Sequence, residues 1–262
     1  MKAAALVLAG CGAAPAPVIA NAPVAPHVET VGLPSCTGTC GTDDTTIGTP
    51  ITSCGHTFAL HRKGELCAIQ IDSATFVEPL VACRAANLMA DYHDRAQLVS
   101  AQCTPDHGYD LVLRTDHEIR ISCDDHATCR RPALALTTGD PQAEFLRSVV
   151  AAIDKHDWKR LLQYASASHR HEQLVVMKQD EPTYLAELIG VHYADNSIAP
   201  DQVELSDLDR IEHVALLETW QSENPPFVIV YGLAQLRDGR QLRIELELKK
   251  TPAGYELTGA VG

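Results

Sequence analysis

The chain has 262 residues, of which 45% are hydrophobic and 21% are charged, and this composition excludes a fibrous or wholly disordered protein. Its 34 acidic residues outnumber its 21 basic residues, which gives a formal net charge of -13. Such a charge repels phosphate backbones and anionic lipid head groups, so we expect no nucleic-acid partner. The length suits two domains, each large enough to bury a core.

The N-terminus has the features of an export signal. Lys2 precedes a short apolar run, Ala3 to Ala9, which is too short to cross a bilayer as a mature helix. The run ends in Leu8-Ala9-Gly10-Cys11, which resembles the lipobox of bacterial lipoproteins, where the signal is cut before the cysteine. The resemblance implies a signal peptide over residues 1–10 and lipidation of Cys11, with palmitate as one of the acyl groups. A free apolar N-terminus is the alternative.

The residue after Cys11 bears on the destination of the chain. In lipoproteins with this signal, Asp at that position favours retention at the inner membrane, whereas here the residue is Gly12. The resemblance therefore implies a protein anchored to the outer membrane and facing the periplasm, which contacts the membrane only through its lipid. Residues 11–34 are rich in proline and show no periodicity, so we interpret them as a tether that extends up to roughly 70 Å at about 3.1 Å per residue.

Cysteine usage agrees with export. Eight further cysteines all precede residue 130: Cys36, Cys40, Cys54, Cys67, Cys83, Cys103, Cys123 and Cys129. An even set within an exported chain predicts four disulfides, because the compartment is oxidising. The pairing stays open, although Cys123 and Cys129 are close enough in sequence to close a small loop. The alternative, zinc, is disfavoured because the repeated C-x-x-C pairs of structural zinc sites are missing, so we expect no metal.

Residues 35–137 are predicted to form a small disulfide-rich α+β domain. Phe58–Arg62 and Leu66–Ile71 flank a Gly-containing turn and read as a hairpin. Apolar residues at spacings of three and four predict a helix over Ala74–Arg95. Three short strands are then predicted at Gln97–Cys103, Tyr109–Arg114 and Glu118–Cys123.

Residues 138–262 are predicted to begin with helices. Asp140 is a favourable N-cap and Pro141 a favourable first helical residue. A second short helix is predicted to start at His156-Asp157, and two more are predicted over Ser168–Lys178 and Pro182–Tyr193.

Towards the C-terminus, apolar residues recur at every second position instead of every third or fourth. Leu242, Ile244, Leu246 and Leu248 alternate with charged residues, which predicts a strand that is buried on one face and exposed on the other. Phe227–Leu236 is its predicted partner, joined through a turn at Asp238-Gly239. Strands at Arg210–Trp220 and Tyr255–Val261 would complete a meander.

The predicted fold class is therefore α+β in both domains. Helices followed by a long antiparallel sheet over Asp140–Gly262 resemble the nuclear transport factor two-like, or cystatin-like, cone. That family includes pocket enzymes as well as modules that only bind, so the resemblance implies no particular reaction.

Residues near the open end of such a cone would line a pocket. The polar and aromatic candidates are His192, Tyr193, Glu218, Trp220 and Tyr231. No two of them form an evident acid–base pair, and packing within the core is the alternative role. The motif His169-Arg170-His171 places two histidines on diverging sides of a helix, which disfavours a metal chelate. Ser166 and Ser168 lack the Gly-x-Ser-x-Gly context of hydrolases, so we assign no catalytic residue and no cofactor.

Acidic residues are concentrated in residues 172–224, which contain 12 Asp and Glu against two basic residues. The candidate partner-binding acidic face consists of Glu187, Asp195, Asp201, Glu204, Asp207, Asp209 and Glu212. A solvated surface that maintains solubility is the alternative. Calcium binding is disfavoured because the remaining ligands and the glycine of an EF-hand loop are missing.

These features predict a non-catalytic, lipid-anchored binding protein whose acidic face recognises a basic protein. A cationic cell-wall-degrading toxin is one partner class, which would make the chain an inhibitor or immunity protein. Two alternatives remain open at this point: a pocket enzyme or small-ligand carrier that uses the cone, and an envelope-assembly component.

Overall fold

The structure is a computed structural model that describes residues 29–36, 45–63, 66–73, 75–77, 97–114, 118–126, 128–193, 205–221 and 227–259. The lipobox and most of the predicted tether lie outside these residues. The described chain has an α+β fold, as predicted from the sequence.

The described residues of the first half, 29–137, form two five-stranded antiparallel sheets. The strands are β1 (Thr30–Gly32), β2 (Ser35–Cys36), β3 (Thr45–Ser53), β4 (His56–Lys63), β5 (Leu66–Ile71), β6 (Thr75–Val77), β7 (Gln97–Cys103), β8 (Tyr109–Arg114), β9 (Glu118–Cys123) and β10 (Cys129–Pro132). The first sheet has the order β1-β10-β9-β8-β7 and the second has the order β2-β6-β5-β4-β3. Alternating side chains of β8 and β9 are buried, including Leu111, Leu113 and Ile121.

Disulfides link the strands of this half, as the cysteine count predicts. Cys54, in the turn after β3, is bonded to Cys103 at the end of β7, with the two Cα atoms 6.2 Å apart. Cys123 and Cys129, paired across β9 and β10, close the predicted small loop. Of the remaining cysteines, Cys36 and Cys67 lie in β2 and β5, whereas Cys11, Cys40 and Cys83 lie outside the described residues.

Two sequence predictions for this half need correction. The tether does not extend to residue 34, because β1 pairs with β10 and Leu33 is 6% exposed within the core. A strand of three residues is too short to show the alternation of apolar and polar residues that predicts a strand from sequence. The predicted helix over Ala74–Arg95 is wrong at its start, since Thr75–Val77 is a strand hydrogen-bonded to β5; residues 78–95 of that prediction lie outside the described part. The predicted hairpin and the three later strands are confirmed.

The second half begins with helices. They are α1 (Pro141–Asp154), α2 (Trp158–Tyr164), α3 (Ala167–His171), a π-helix (Glu172–Val176), α4 (Glu181–Leu188) and the short α5 (Leu205–Leu208). The Asp140 carboxylate accepts a hydrogen bond from the amide of Gln142, which confirms the predicted cap. Asp157 caps α2 in the same way. The predicted helix over Pro182–Tyr193 is too long, since α4 ends at Leu188 and Tyr193 belongs to a strand.

The third sheet is the predicted meander with one short addition. Its strands are β11 (His192–Tyr193), β12 (Ile211–Gln221), β13 (Phe227–Leu236), β14 (Gln241–Thr251) and β15 (Gly254–Leu257). β12, β13 and β14 are neighbours in that order, and β11 and β15 both pair with the outer side of β14. Gly239 provides the positive φ, 86°, of the β13–β14 turn, as its sequence predicts.

The two faces of the third sheet contact different parts of the molecule. Leu246 and Val230 point towards the helices and pack against α1 and α4. Tyr231 and Leu233 point the other way, into a core shared with β8 and β9 of the first half. We call this second contact the seam. It corrects the prediction that β14 has one exposed face, because the charged Arg243 is only 8% exposed.

Candidate partner-binding surface

The structure describes four of the seven predicted acidic-face residues. Glu187 is exposed on α4, and Asp209 and Glu212 are exposed where the chain enters β12. Asp195, Asp201 and Glu204 lie outside the described residues. The helix α4 contacts α5, which directly precedes Asp209, so the elements that carry the exposed carboxylates are neighbours.

Asp207 does not belong to the exposed face, which corrects the sequence prediction. It is 8% exposed, and its carboxylate lies 3.6 Å from Arg210 Nη1 and 3.7 Å from Arg240 Nη2. Asp238 contacts the same two arginines, at 3.5 Å and 2.9 Å. Asp207 therefore ties α5 to the β13–β14 turn, and its charge is balanced within the fold.

A second group of carboxylates lies beside the start of β12, and the sequence analysis missed it. His213 Nε2 donates a hydrogen bond to Glu29 Oε1 at 2.7 Å, and its Nδ1 lies 3.4 Å from Asp154 Oδ2. The other Asp154 oxygen accepts the amide of Val214 at 2.8 Å. Glu29 and His213 are 184 positions apart in the sequence, and Asp154 lies between them. No local sequence pattern could therefore have grouped the three residues.

The ionisation of this group follows from its surroundings. Burial raises the pKa of Asp154, and the adjacent His213 offsets only part of that effect. For His213, burial acts to lower the pKa, but the hydrogen bond to Glu29 and the charge of Asp154 outweigh it and raise the pKa above its ordinary value. The site therefore favours a protonated imidazole between two carboxylates.

An aromatic side chain lies next to the exposed carboxylates. The Trp158 indole donates from Nε1 to Asp209 Oδ1 at 3.1 Å. The ring of His156 lies 5.6 Å from that of Trp158, and its Nε2 donates to the carbonyl of Ile211 at 2.8 Å. These contacts fix the loop before α2 against β12. A half-buried Trp beside exposed carboxylates is a suitable anchor for a protein partner, because Trp is enriched among the residues that dominate binding energy.

Glu218, Trp220 and Tyr231 are brought together at the seam, on the sheet face that points away from the helices. They do not line the space between the helices and the sheet, which corrects their predicted placement. That space is filled by apolar side chains, among them Leu146 and Tyr184, which are 1% and 0% exposed.

Glu218 takes part in a buried ion pair. Arg131 Nη1 lies 3.4 Å from Glu218 Oε2, and Arg131 Nη2 donates to the carbonyl of Leu217 at 3.0 Å. Burial lowers the pKa of Arg131, and the charge of Glu218 opposes that shift. A cleft of about 320 Å³ lies beside this pair, between β9, the segment after β10 and β12. The Glu218 carboxylate therefore joins the two halves through its ion pair with Arg131.

The remaining candidates have separate locations. His192 and Tyr193 form β11 at the side of β14, and their side chains lie outside the described residues. His169 and His171 lie on the helix α3, as predicted, and the hydroxyl of Tyr184 lies 3.4 Å from His169 Nδ1. Ser166 Oγ contacts Ser168 Oγ at 3.0 Å.

No family model, curated protein or solved structure matches the chain. Within the described ranges, no three His, Cys, Asp or Glu side chains are grouped closely enough to hold a metal ion. None of the helices in the described part is both long and apolar enough to cross a bilayer.

Proposed function

We propose that this protein is a lipid-anchored binding protein of the bacterial envelope that recognises a basic protein without catalysing a reaction. The observation that carries the proposal is the arrangement of exposed carboxylates, Glu29, Asp209 and Glu212, around Trp158 and His213. Exposed acidic groups steer a cationic partner into contact and an aromatic anchor holds it. We call these five residues the β12 surface.

The lipobox and the disulfides support the cellular location that we propose for the protein. Leu8-Ala9-Gly10-Cys11 resembles a lipoprotein processing site, and Cys54–Cys103 and Cys123–Cys129 suit an oxidising compartment such as the periplasm. We further propose the outer membrane as the anchoring site, because Gly12 follows the cysteine.

The filled interior between helices and sheet favours binding over the alternative of a pocket enzyme. Helices followed by an antiparallel meander support the resemblance to the nuclear transport factor two-like cone, but ligand-binding cones need an open interior. Here Val149, Leu161 and Leu246 are each at 0% exposure. Among partner classes, we propose a cationic cell-wall-degrading enzyme, because its charge complements the β12 surface.

The test uses the mature full chain as bait for cationic muramidases and for the product of the adjacent reading frame. We expect binding at low salt that weakens at high salt, because exposed charges are screened. Glu212→Lys combined with Asp209→Lys should reduce the association rate at least tenfold. The matched control is Asp106→Lys, which reverses an exposed carboxylate in the turn after β7. Binding that is unaffected by salt and by the double substitution would contradict the proposal.

A further inference from the structure

The seam contains a cleft at the point where β10 separates from its neighbour β9. The cleft has a volume of about 320 Å³ and is lined by residues 118–120 of β9, residues 131–135 at the end of β10 and beyond it, and residues 217–219 of β12. This volume falls within the range of ligand-binding sites, roughly 300–1,000 Å³. We call this space the seam cleft. Its walls are strands of both halves of the molecule.

Pro132 explains why the seam cleft opens where it does. β10 pairs with β9 as far as Arg130 and Ser122, and the same register would place Pro132 opposite Arg120. Proline has no N–H to donate, and the β9–β10 ladder ends before that pair. Two residues further along, the amide of Leu134 donates to a carbonyl of β12 at 2.7 Å. β10 therefore changes its partner from β9 to β12, and the cleft lies at the fork.

The backbone groups of Glu118 and Arg120 face the seam cleft. Backbone groups alternate from side to side along a strand, and the amide of Asp124, just after β9, donates to the carbonyl of Thr128 on the β10 side at 3.1 Å. The even-numbered residues of β9 therefore direct their N–H and C=O groups towards β10, and the odd-numbered residues direct theirs towards β8. At residues 118 and 120, β8 is the only strand of the described part that pairs with β9. These two residues thus form a short open edge inside the molecule.

The opposite wall of the seam cleft has its backbone carbonyls occupied. Leu216 accepts the amide of Leu134, and Leu217 accepts Nη2 of Arg131 at 3.0 Å. Arg131 is in turn paired with Glu218. The open hydrogen-bonding capacity is therefore on β9, where donors and acceptors follow one another as they do along an extended main chain. An unpaired strand edge of this kind is a template for a further strand.

Two exposed side chains indicate which residues would suit this edge. Glu118 and Arg120 lie on the same face of β9. Glu118 also contacts Arg114 at 2.9 Å, whereas no carboxylate among the described residues pairs with Arg120. A strand antiparallel to β9 has one residue opposite Arg120 and, two positions later, one residue opposite Glu118. Because opposite charges across a sheet are stabilising, the edge suits an acidic residue followed, two positions later, by a basic one.

The seam cleft adjoins the β12 surface. The amide of Ala133, in the wall of the cleft, donates to the carbonyl of Glu29 at 2.8 Å, and Glu29 belongs to that surface. β12 also connects the two, since Leu217 at the cleft follows Glu212 by five residues, roughly 16 Å along a strand. A protein partner bound at the β12 surface therefore lies beside an open strand edge.

We propose that the seam cleft receives an extended segment of the protein partner, which adds to β9 as an antiparallel strand through the backbone groups of Glu118 and Arg120. The inference rests on the proposed function, because the β12 surface is what brings the partner to this place. Main-chain hydrogen bonds supply the affinity in this mode of recognition, and the side chains opposite Glu118 and Arg120 supply the specificity.

The probe is the acetylated and amidated peptide Thr-Glu-Val-Lys-Thr, added at millimolar concentration to the mature full chain. Amide hydrogen exchange is followed by NMR. We expect exchange of the Arg120 amide to become at least about fivefold slower, because the peptide covers an N–H that otherwise faces the cleft. The amide of Asp125, exposed in the β9–β10 turn, should not change. The same peptide methylated on the nitrogens of its Glu and Lys lacks the donors for β9 and should give no slowing.

Two substitutions at one position separate the main chain from the side chain. Arg120→Pro removes the N–H that faces the cleft and should raise the peptide concentration needed to shift the Glu118 amide at least about fivefold. Arg120→Ala keeps that N–H and should raise it less than about threefold. Thermal unfolding checks that both variants are folded, and the methylated peptide tests the proposal on the wild-type chain in any case.

Unchanged exchange of the Arg120 amide at the highest peptide concentration would overturn the proposal, as would equal slowing by the methylated peptide. Slowing that increases with protein concentration in the absence of peptide would overturn it in favour of a second copy of the chain. Asp209→Lys combined with Glu212→Lys should leave the peptide titration unchanged, because the peptide carries no net charge. Failure of the seam cleft is therefore distinguishable from failure of the β12 surface, which the salt-dependent capture of a cationic protein tests separately.

Discussion

Arg131 and Glu218, 87 positions apart in the sequence, form an ion pair at the seam between the two halves of the molecule. Their side chains are only 5% and 4% exposed, and the nearest nitrogen and oxygen are 3.4 Å apart. Each side chain therefore balances the charge of the other, which would be costly to bury alone. The pair fixes how β10 of the first half meets β12 of the second.

Removing Glu218 should strongly destabilise the fold. Glu218→Ala leaves the Arg131 guanidinium buried beside no opposite charge, so we expect a loss of about 3–5 kcal/mol in the free energy of unfolding, measured by urea denaturation. The double variant Arg131→Met with Glu218→Leu removes both charges and should lose less than the single variant. A single variant within about 1 kcal/mol of wild type would show that the pair does not hold the seam.

Two acidic residues that are five positions apart should behave in opposite ways. Asp207→Asn weakens the contacts with Arg210 and Arg240 and should lower the free energy of unfolding by about 1–3 kcal/mol. Glu212→Gln changes an exposed carboxylate and should stay within about 0.5 kcal/mol of wild type. Partner binding should show the reverse order, with the Glu212 variant the more affected in association rate. Equal effects on stability would contradict the separation of the two roles.

The contact between His213 and Glu29 should make stability depend on pH. The pKa of His213 is raised in the folded state. The contribution of this contact to the free energy of unfolding is therefore fully present below the unfolded pKa of about 6.5, and it is lost as the pH rises through the folded pKa. Both side chains are about half exposed, which limits the contribution to about 0.5 kcal/mol.

We therefore expect His213→Gln to be less stable than wild type at about pH 5.5 and to match it at about pH 8.5. Thermal unfolding at both pH values measures the difference. His171→Gln, at an exposed position on α3, serves as the control and should show no such trend. A His213 variant whose deficit is the same at both pH values would rule out a proton-linked contact.

The two disulfides should contribute unequally. Cys54 and Cys103 enclose a loop with a sequence separation of 49, whereas Cys123 and Cys129 are separated by six. Chain entropy favours the longer cross-link, so replacing its two cysteines by Ala should cost about 4 kcal/mol, against about 2 kcal/mol for the shorter one. Urea denaturation of the two double-alanine variants gives the comparison. A larger loss for the short loop would contradict the chain-entropy explanation.

Local sequence chemistry predicted much of the secondary structure. The cap at Asp140, the turn at Gly239 and the strand β14 each depend on residues close together in the chain, and all three are present, although residues 242–246 of β14 are all buried and do not alternate in exposure. The burial of Arg243 could not be predicted in that way, because the first half covers the second face of the sheet. A pattern within one strand gives no information on what packs against it.

The candidate surface was predictable only in part. Glu187, Asp209 and Glu212 are in an acidic segment that composition alone reveals, and all three are exposed. Glu29 and Asp154 join His213 through tertiary contacts, so charge density along the chain did not indicate them. Asp207 carries the same formal charge as its neighbours but faces two arginines, which only the fold brings together.

The position of β1 determines how a mechanical load would enter the molecule. β1 is an edge strand that pairs with β10, and the residue before it, Glu29, is also held by His213 on β12. A pull on the chain before Glu29 would therefore load the β1–β10 pairing of the first half and, through the weaker Glu29–His213 contact, β12 of the second half. The strand pairing in the disulfide-linked half would carry most of that force, and the side-chain contact with the helical half would add a smaller resistance.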